Sequence, residues 1–296
     1  MIEEQVLAAA KVNVYLRVLG RRPDGYHILD SVMVPISLYD RILLRVVPSS
    51  DVRNPQPRVA LTSDSPDAPG GPANLAYRAA ALLLSDLGHS VSVDIHLQKR
   101  IPVGSGLGGG SSDAAAVLVT LNRLLGSPYG TDQLARLGGE LGADVPFFVY
   151  GRPARVEGCG EHITPLELRR PLSLVVCSDG VVLSTRQVYS LVDLSLTIGQ
   201  RASSIEPLVS GGGPISTMLV NDLEPAAATG HREVLSLKAR LVEQGALGAL
   251  MTGSGSAVFG IWPDLKLAEQ AAQQLRRQGL WAEAVRTLDE SLTVVS

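Results

Sequence analysis

Cysteine is nearly missing from this sequence: Cys159 and Cys177 are the only two in 296 residues, and neither belongs to a CxxC pair. A disulfide framework or a cysteine zinc site is thereby excluded, and a reducing compartment fits. Histidine is also sparse, and His27, His89, His96, His162 and His231 form no HExxH or HxxxH spacing. No block of like charge occurs, and the formal net charge is −3 with a pI near 6.0. Proteins that bind a nucleic-acid backbone usually carry a basic excess, because phosphate neutralisation supplies most of that affinity. No stretch approaches the ~18 uninterrupted apolar residues of a membrane span. The opening MIEEQVLAAAK starts acidic and has too short an apolar run for a signal peptide. The expectation is a cytoplasmic protein with neither a nucleic-acid nor a membrane partner.

What is present is globular: 45% hydrophobic residues, 19% charged and a mean hydropathy of +0.19. That is enough apolar material for a sizeable core. At roughly 150 residues per domain the length suits one large domain or two ordinary ones. Thirty glycines accompany only 4% aromatics, so glycine serves particular places.

The patterning mixes strands and helices. Residues 12–18, 41–47 and 91–97 alternate or are rich in β-branched residues and predict strands, with a short strand at 58–61 inside the turn-rich stretch 48–72. Helices are predicted over 74–87, 113–125 and 131–141, then over 233–244 and 264–279. Strands are expected at 172–177, 181–183 and 281–287, and a Gly/Ser turn within a hairpin over 249–262. Residues 185–209 read as helix followed by loop, and 211–214 as a flexible joint. Strict βαβα alternation is absent, which argues for α+β. A boundary between 150 and 170 divides the chain into residues 1–157 and 158–296.

Glycine concentrates where chemistry would need it. Gly104, Gly106, Gly108, Gly109 and Gly110, then Ser111 and Ser112, open directly onto a predicted helix. Glycine lets the backbone approach a ligand without a Cβ in the way, and a helix start offers unpaired N–H groups at the positive end of its dipole. Together they suit a phosphate. The loop is not a Walker A sequence, because no Gly-Lys-Ser/Thr follows. Gly104, Gly106 and Gly109 satisfy GxGxxG, but the next predicted element is a helix and not the acid-bearing strand of a dinucleotide fold. A dinucleotide-dependent oxidoreductase is thus the weaker alternative. By pattern alone Asp144, within GADVPFF, is as readily a structural turn cap as a catalytic acid, and Lys11 beside a strand reads as a solvated charge.

The segment Pro102-Val103-Gly104-Ser105-Gly106-Leu107-Gly108-Gly109-Gly110-Ser111-Ser112-Asp113-Ala114-Ala115 closely resembles the ATP loop of the GHMP kinases, among them galactokinase, homoserine kinase and mevalonate kinase. Further segments agree in order: Ala10 to Asn13, Arg22 to His27, Ser37 to Asp40, Asn74-Leu75, Gly142 to Phe148, Ser184-Thr185, Asn221 to Glu224 and Gly253 to Phe259. The Arg-Arg-Pro-Asp-Gly-Tyr-His stretch and the GLGGGSSDAA form are similar to the branch whose substrate carries a cytidine diphosphate group. Another member of the superfamily, of mevalonate or homoserine type, is the nearer alternative.

The resemblance implies a two-domain fold: an N-terminal domain of the ribosomal protein S5 domain 2-like kind and a C-terminal ferredoxin-like α/β sandwich. A noncatalytic RNA-binding module, suggested by the ribosomal likeness, is disfavoured by the charge. The resemblance also implies ATP with Mg²⁺ and phosphoryl transfer to an alcohol of isoprenoid precursor synthesis. Residues 102–112 would cradle ATP. Asp144 would be the general base with Lys11 as its partner, and Asn13 would hold the hydroxyl. Tyr26, His27, Thr185 and Tyr189 would hold the cytidine, while Gly253, Ser254 and Gly255 would face the diphosphate or the transferred group. Ser112 is the one side chain suggested for the metal. Arg152-Pro153 departs from the family pattern, which carries small residues there.

Overall fold

The computed structural model describes residues 1–48, 58–194, 205–210 and 214–295. Part of the turn-rich 48–72 stretch, the middle of the region expected as helix then loop over 185–209, and most of the 211–214 joint lie outside these residues.

Two long antiparallel strands, β1 (Ile2–Arg21) and β2 (His27–Pro48), form the backbone of the chain. The sequence patterns mark only fragments of them. The run Ala8-Ala9-Ala10 has helical propensity, but full-length pairing with β2 overrides it. Register shifts at Ala9/Ala10, Asn13/Tyr15 and Val18/Gly20 bend the ribbon. With β3 (Arg58–Ser63), β4 (Val91–Gln98), the hairpin β5 (Ala154–Gly158) and β6 (His162–Pro165), β8 (Val220–Asn221) and β12 (Leu292–Val295) it forms an eight-stranded sheet. Sequence patterns reveal neither β8 nor β12, which are short and take their pairing from β1.

Four helices cover one face of this sheet: α1 (Leu75–Leu87), α2 (Gly109–Leu124), α3 (Thr131–Leu141) and α4 (Val145–Tyr150). Asn74 caps α1, accepting from the Ala76 N–H, and Gly88 ends it in the left-handed region. Leu83, Leu84, Leu118, Leu121, Phe147 and Phe148 are buried in the core between helices and sheet.

A second, four-stranded sheet has the order β11-β7-β10-β9 and is antiparallel throughout. Its strands are β7 (Ser173–Ser178), β9 (Gly248–Met251), β10 (Val258–Trp262) and β11 (Trp281–Arg286). Residues 181–183 are not a strand: they run without regular structure into α5 (Thr185–Ser190), and their contacts go to the glycine loop and the β9–β10 turn, with Val181 accepting from Ser256 and Val182 lying against Gly104. The short helices α6 (Glu206–Val209) and α7 (Glu224–Gly230) precede α8 (Glu233–Glu243) and α9 (Leu265–Arg277), which pack on one face of this sheet. Its other face meets the long hairpin, where Leu174, Val176, Phe259 and Ile261 join Val12, Val14, Val34 and Ile36 in one core. The architecture is α+β in two parts, and the seam between the sheets positions the site. No described helix is long and apolar enough to cross a membrane.

Candidate active site

A cleft of about 570 Å³ opens at this seam. One wall is the glycine loop. It reaches further into the helix than the sequence suggests: α2 begins at Gly109, so Gly109, Gly110 and Ser111 form its first turn and the ladder starts with Ser112 N–H to Gly108 O. Those first N–H groups have no partner within the helix and face the cleft. Gly108 caps the helix at φ +74°, where a Cβ would lie 2.9 Å from the Phe148 ring. A Cβ at Gly106 would lie 2.4 Å from the Thr252 carbonyl oxygen. These glycines are required by crowding from the protein side, with φ values that other residues rarely adopt.

Pro102, Val103, Gly104, Ser105, Gly106, Gly108, Gly109, Gly110 and Ser111 line the cleft. Leu107 and Ser112 do not, being wholly buried. Leu107 accepts the Lys11 N–H at 3.0 Å, tying the loop to β1. The Ser112 hydroxyl donates to the Ala9 carbonyl at 2.7 Å, so the side chain suggested for the metal is turned towards β1 and away from the cleft.

Beside the loop, Lys11 and Asn13 project from the same face of β1 into the cleft. Lys11 Nζ is 3.5 Å from Asp144 Oδ2 and donates to Asn13 Oδ1. Lys11 is 3% exposed and Asp144 32% exposed, so the carboxylate is open to a ligand while its partner ammonium is held from behind. Asp144 sits at the start of α4, where its side chain caps nothing, leaving the carboxylate to Lys11 and the cleft. Asn13 Nδ2 donates to Ser31 Oγ at 2.8 Å, and the Ser31 hydroxyl donates to the Tyr15 carbonyl at 2.8 Å. The Asn13 N–H donates to Thr252 Oγ1 at 3.0 Å.

The turn between β9 and β10 closes the far end. Gly253 and Ser254 line the cleft, whereas Gly255 lies behind it, against Met251 and Leu183. Asn221 Nδ2 donates to the carbonyls of Met251 and Gly253, both at 2.8 Å, and fixes the turn. Thr185 Oγ1 and Ser254 Oγ are 2.9 Å apart, which joins α5 to the turn. Tyr189 also lines the cleft, and its ring meets His27 with centroids 5.1 Å apart. Burial, reinforced by Asp144, pushes the Tyr189 phenol up and keeps it neutral. Burial, aided by Arg21, lowers the His27 imidazole, which favours its neutral form at pH 7. Tyr26 stands apart, 67% exposed at the tip of the β1–β2 hairpin and outside the cleft wall.

Residues 74–152 match the GHMP kinases N-terminal domain and residues 208–279 the GHMP kinases C-terminal domain. The 4-diphosphocytidyl-2-C-methyl-D-erythritol kinase of Symbiobacterium thermophilum is 44% identical over 94% of this chain and 98% of its own length. The enzyme of the same name from Geobacter sp. strain M21 is 43% identical over 96% and 99%. The chain belongs to the 4-diphosphocytidyl-2-C-methyl-D-erythritol kinase family of GHMP kinases. A crystal structure of 4-(cytidine 5'-diphospho)-2C-methyl-D-erythritol kinase superimposes with TM-score 0.78 at 40% identity, covering 97% of this chain and 99% of that one. Homoserine kinase from Cytophaga hutchinsonii, 19% identical with TM-score 0.75, shares the fold.

Several residues that build the site in this GHMP kinase fold escape a reading of the sequence. Thr252 and Ser31 hold Asn13 from distant segments, and nothing local marks either. Lys99 lies beside the glycine loop and bridges the buried carboxylates of Asp40 and Asp113. Asp40 Oδ1 accepts the N–H groups of Arg100 at 2.6 Å and Ile101 at 3.0 Å, the residues that lead into the loop. The segment around Asp40 was visible as a family marker, but its lysine partner was not.

Proposed function

We propose that this chain transfers the γ-phosphoryl group of ATP to the 2-hydroxyl of 4-diphosphocytidyl-2-C-methyl-D-erythritol, a step of the non-mevalonate route to isoprenoid precursors. The observation that carries this reading is the pairing of Lys11 with an accessible Asp144 in the cleft that the glycine loop lines. Phosphoryl transfer asks the protein mainly for positioning and charge stabilisation. The loop and the first turn of α2 receive the phosphates. Asp144 accepts the proton of the attacking hydroxyl, Asn13 orients that hydroxyl, and Lys11 favours the ionised form of both carboxylate and alkoxide. His27 and Tyr189, with Tyr26 at the hairpin tip, hold the cytosine end, and Thr185 and the Gly253-Ser254 turn face the diphosphate.

Mg²⁺ is expected with ATP. Among the described residues no group of three His, Cys, Asp or Glu side chains could hold a metal ion, and the Ser112 hydroxyl is buried outside the cleft. The described residues thus offer no closed cage, and no step above runs through the ion.

Asp144→Asn tests the assignment. It keeps size and shape but accepts no proton, so turnover should fall by about 10²–10⁴ while the affinities for ATP and alcohol change much less. Near-normal turnover would remove the general base from the account.

A further inference from the structure

Beneath the glycine loop lies a charge cluster that the proposed reaction does not use. Asp40, from β2, is wholly buried, Asp113, from the second turn of α2, is 2% exposed, and the Lys99 side chain between them is 6% exposed. Lys99 Nζ donates to Oδ2 of both carboxyls. One ammonium therefore serves two carboxyls away from water, an arrangement that is costly if both are ionised. The Oδ2 atoms of both carboxyls converge on the same Lys99 Nζ, which brings two like charges close together unless one carboxyl carries a proton. Asp113 Oδ1 is buried without any partner, as an uncharged carboxyl tolerates far better than a carboxylate. Of the elements packed on α2 (β1, β2, α1, α3 and α4), only β2, through Asp40, supplies a main charge acting on Asp113; the other comes from Lys99, in the segment after β4.

We propose that Asp40, Lys99 and Asp113 share one proton between the two carboxyls, keep the floor of the nucleotide cradle neutral, and weaken nucleotide binding when that proton leaves. Asp113 stands one turn inside the helix whose N-terminus faces the phosphates, so its ionisation sets a negative charge against the anion that the cradle attracts. Burial pushes the Asp113 carboxyl up to about 7, with Lys99 pulling it back and Asp40 adding to the rise. The sign follows from linkage: a bound polyanion raises the proton affinity of Asp113, and loss of the proton lowers the affinity for the polyanion by the same factor. Asp40 also fixes the loop through Arg100 and Ile101, so the cluster joins positioning to charge.

The inference rests on the cleft being a nucleotide site, and direct binding separates the two. ATP is titrated calorimetrically into the full-length protein between pH 7 and 9, beside Asp113→Asn, which mimics the protonated form. The dissociation constant of the wild type should rise about five- to tenfold, and that of the variant should stay near the wild-type value at pH 7. Parallel curves, or a flat wild type, would overturn the proposal; no ATP binding at any pH would overturn the nucleotide reading and the proposal with it. Should the variant not fold, carbon-13 NMR of aspartate carboxyls in the wild type decides. One resonance titrating near neutral pH and moving upward with ATP supports the shared proton, whereas every carboxyl titrating below about pH 5 contradicts it.

Discussion

Lys11, Asn13 and Asp144 meet because β1 places the first two on one face and α4 presents the third, unencumbered, across from them. The resemblance in sequence singles out all three; what it lacks is their support, since Thr252, Ser31 and Lys99 act through contacts that no local pattern encodes. If Lys11 serves the alkoxide and the carboxylate as one unit with Asp144, then Lys11→Met should cost about as much turnover as Asp144→Asn, and the double variant little more, as strongly coupled catalytic sets behave. Steady-state rates of the four proteins read this directly, and fully additive losses would assign Lys11 to the phosphate alone. Tyr26 offers a cleaner separation because, at 67% exposure, it carries no core. Tyr26→Ala should weaken binding of the cytidylated alcohol by roughly 1–3 kcal/mol, the range of base–aromatic stacking. ATP binding should be untouched, and equal weakening of both ligands, measured by calorimetry, would show that Tyr26 has been given the wrong role.

At the scale of elements the glycine loop is the most legible piece, but its mechanics differ from what the sequence suggests. Glycines that look reserved for a ligand are in part reserved for the protein. A Cβ at Gly108 would press on Phe148 and on the Lys11 stem at 3.1 Å. Gly108→Val should therefore lower the melting temperature as well as ATP affinity, rather than obstruct ATP alone. Gly110 is the selective probe: its Cβ would find only Leu75, at 3.7 Å, and its φ is not left-handed. Gly110→Ala should leave the melting temperature within a few degrees while raising the dissociation constant for ATP. A tolerant Gly108 or an ATP-indifferent Gly110 would misplace the cradle. The long hairpin, by contrast, was legible only in fragments. Its alanine run and bulged register hide the period of two on which strand patterns depend. The start of α2 was missed by four residues for a related reason, because glycine-rich first turns look like loop until tertiary contacts fix them.

On the scale of the whole molecule the site exists only because the two sheets lock together. The Ala257 N–H donates to the Ser105 carbonyl at 3.0 Å, and Thr252 accepts from Asn13, so the turn of the second sheet and the loop of the first hold one another. The α+β class is readable from element patterns, but this seam is not. It is built from pairs more than 100 residues apart, Asn13 with Thr252 and Ser105 with Ala257. Thr252→Val would leave the buried Asn13 N–H unpaired and cost about 1–3 kcal/mol of stability. Urea unfolding measures this, and an unchanged midpoint would deny the seam its role. The central claim concerns which alcohol the assembled cleft accepts. Purified protein with ATP and Mg²⁺ should phosphorylate 4-diphosphocytidyl-2-C-methyl-D-erythritol, with phosphorus NMR locating the new ester on the 2-hydroxyl. Mevalonate and homoserine should give no product above background. Turnover of either in preference to the cytidylated alcohol would contradict the account.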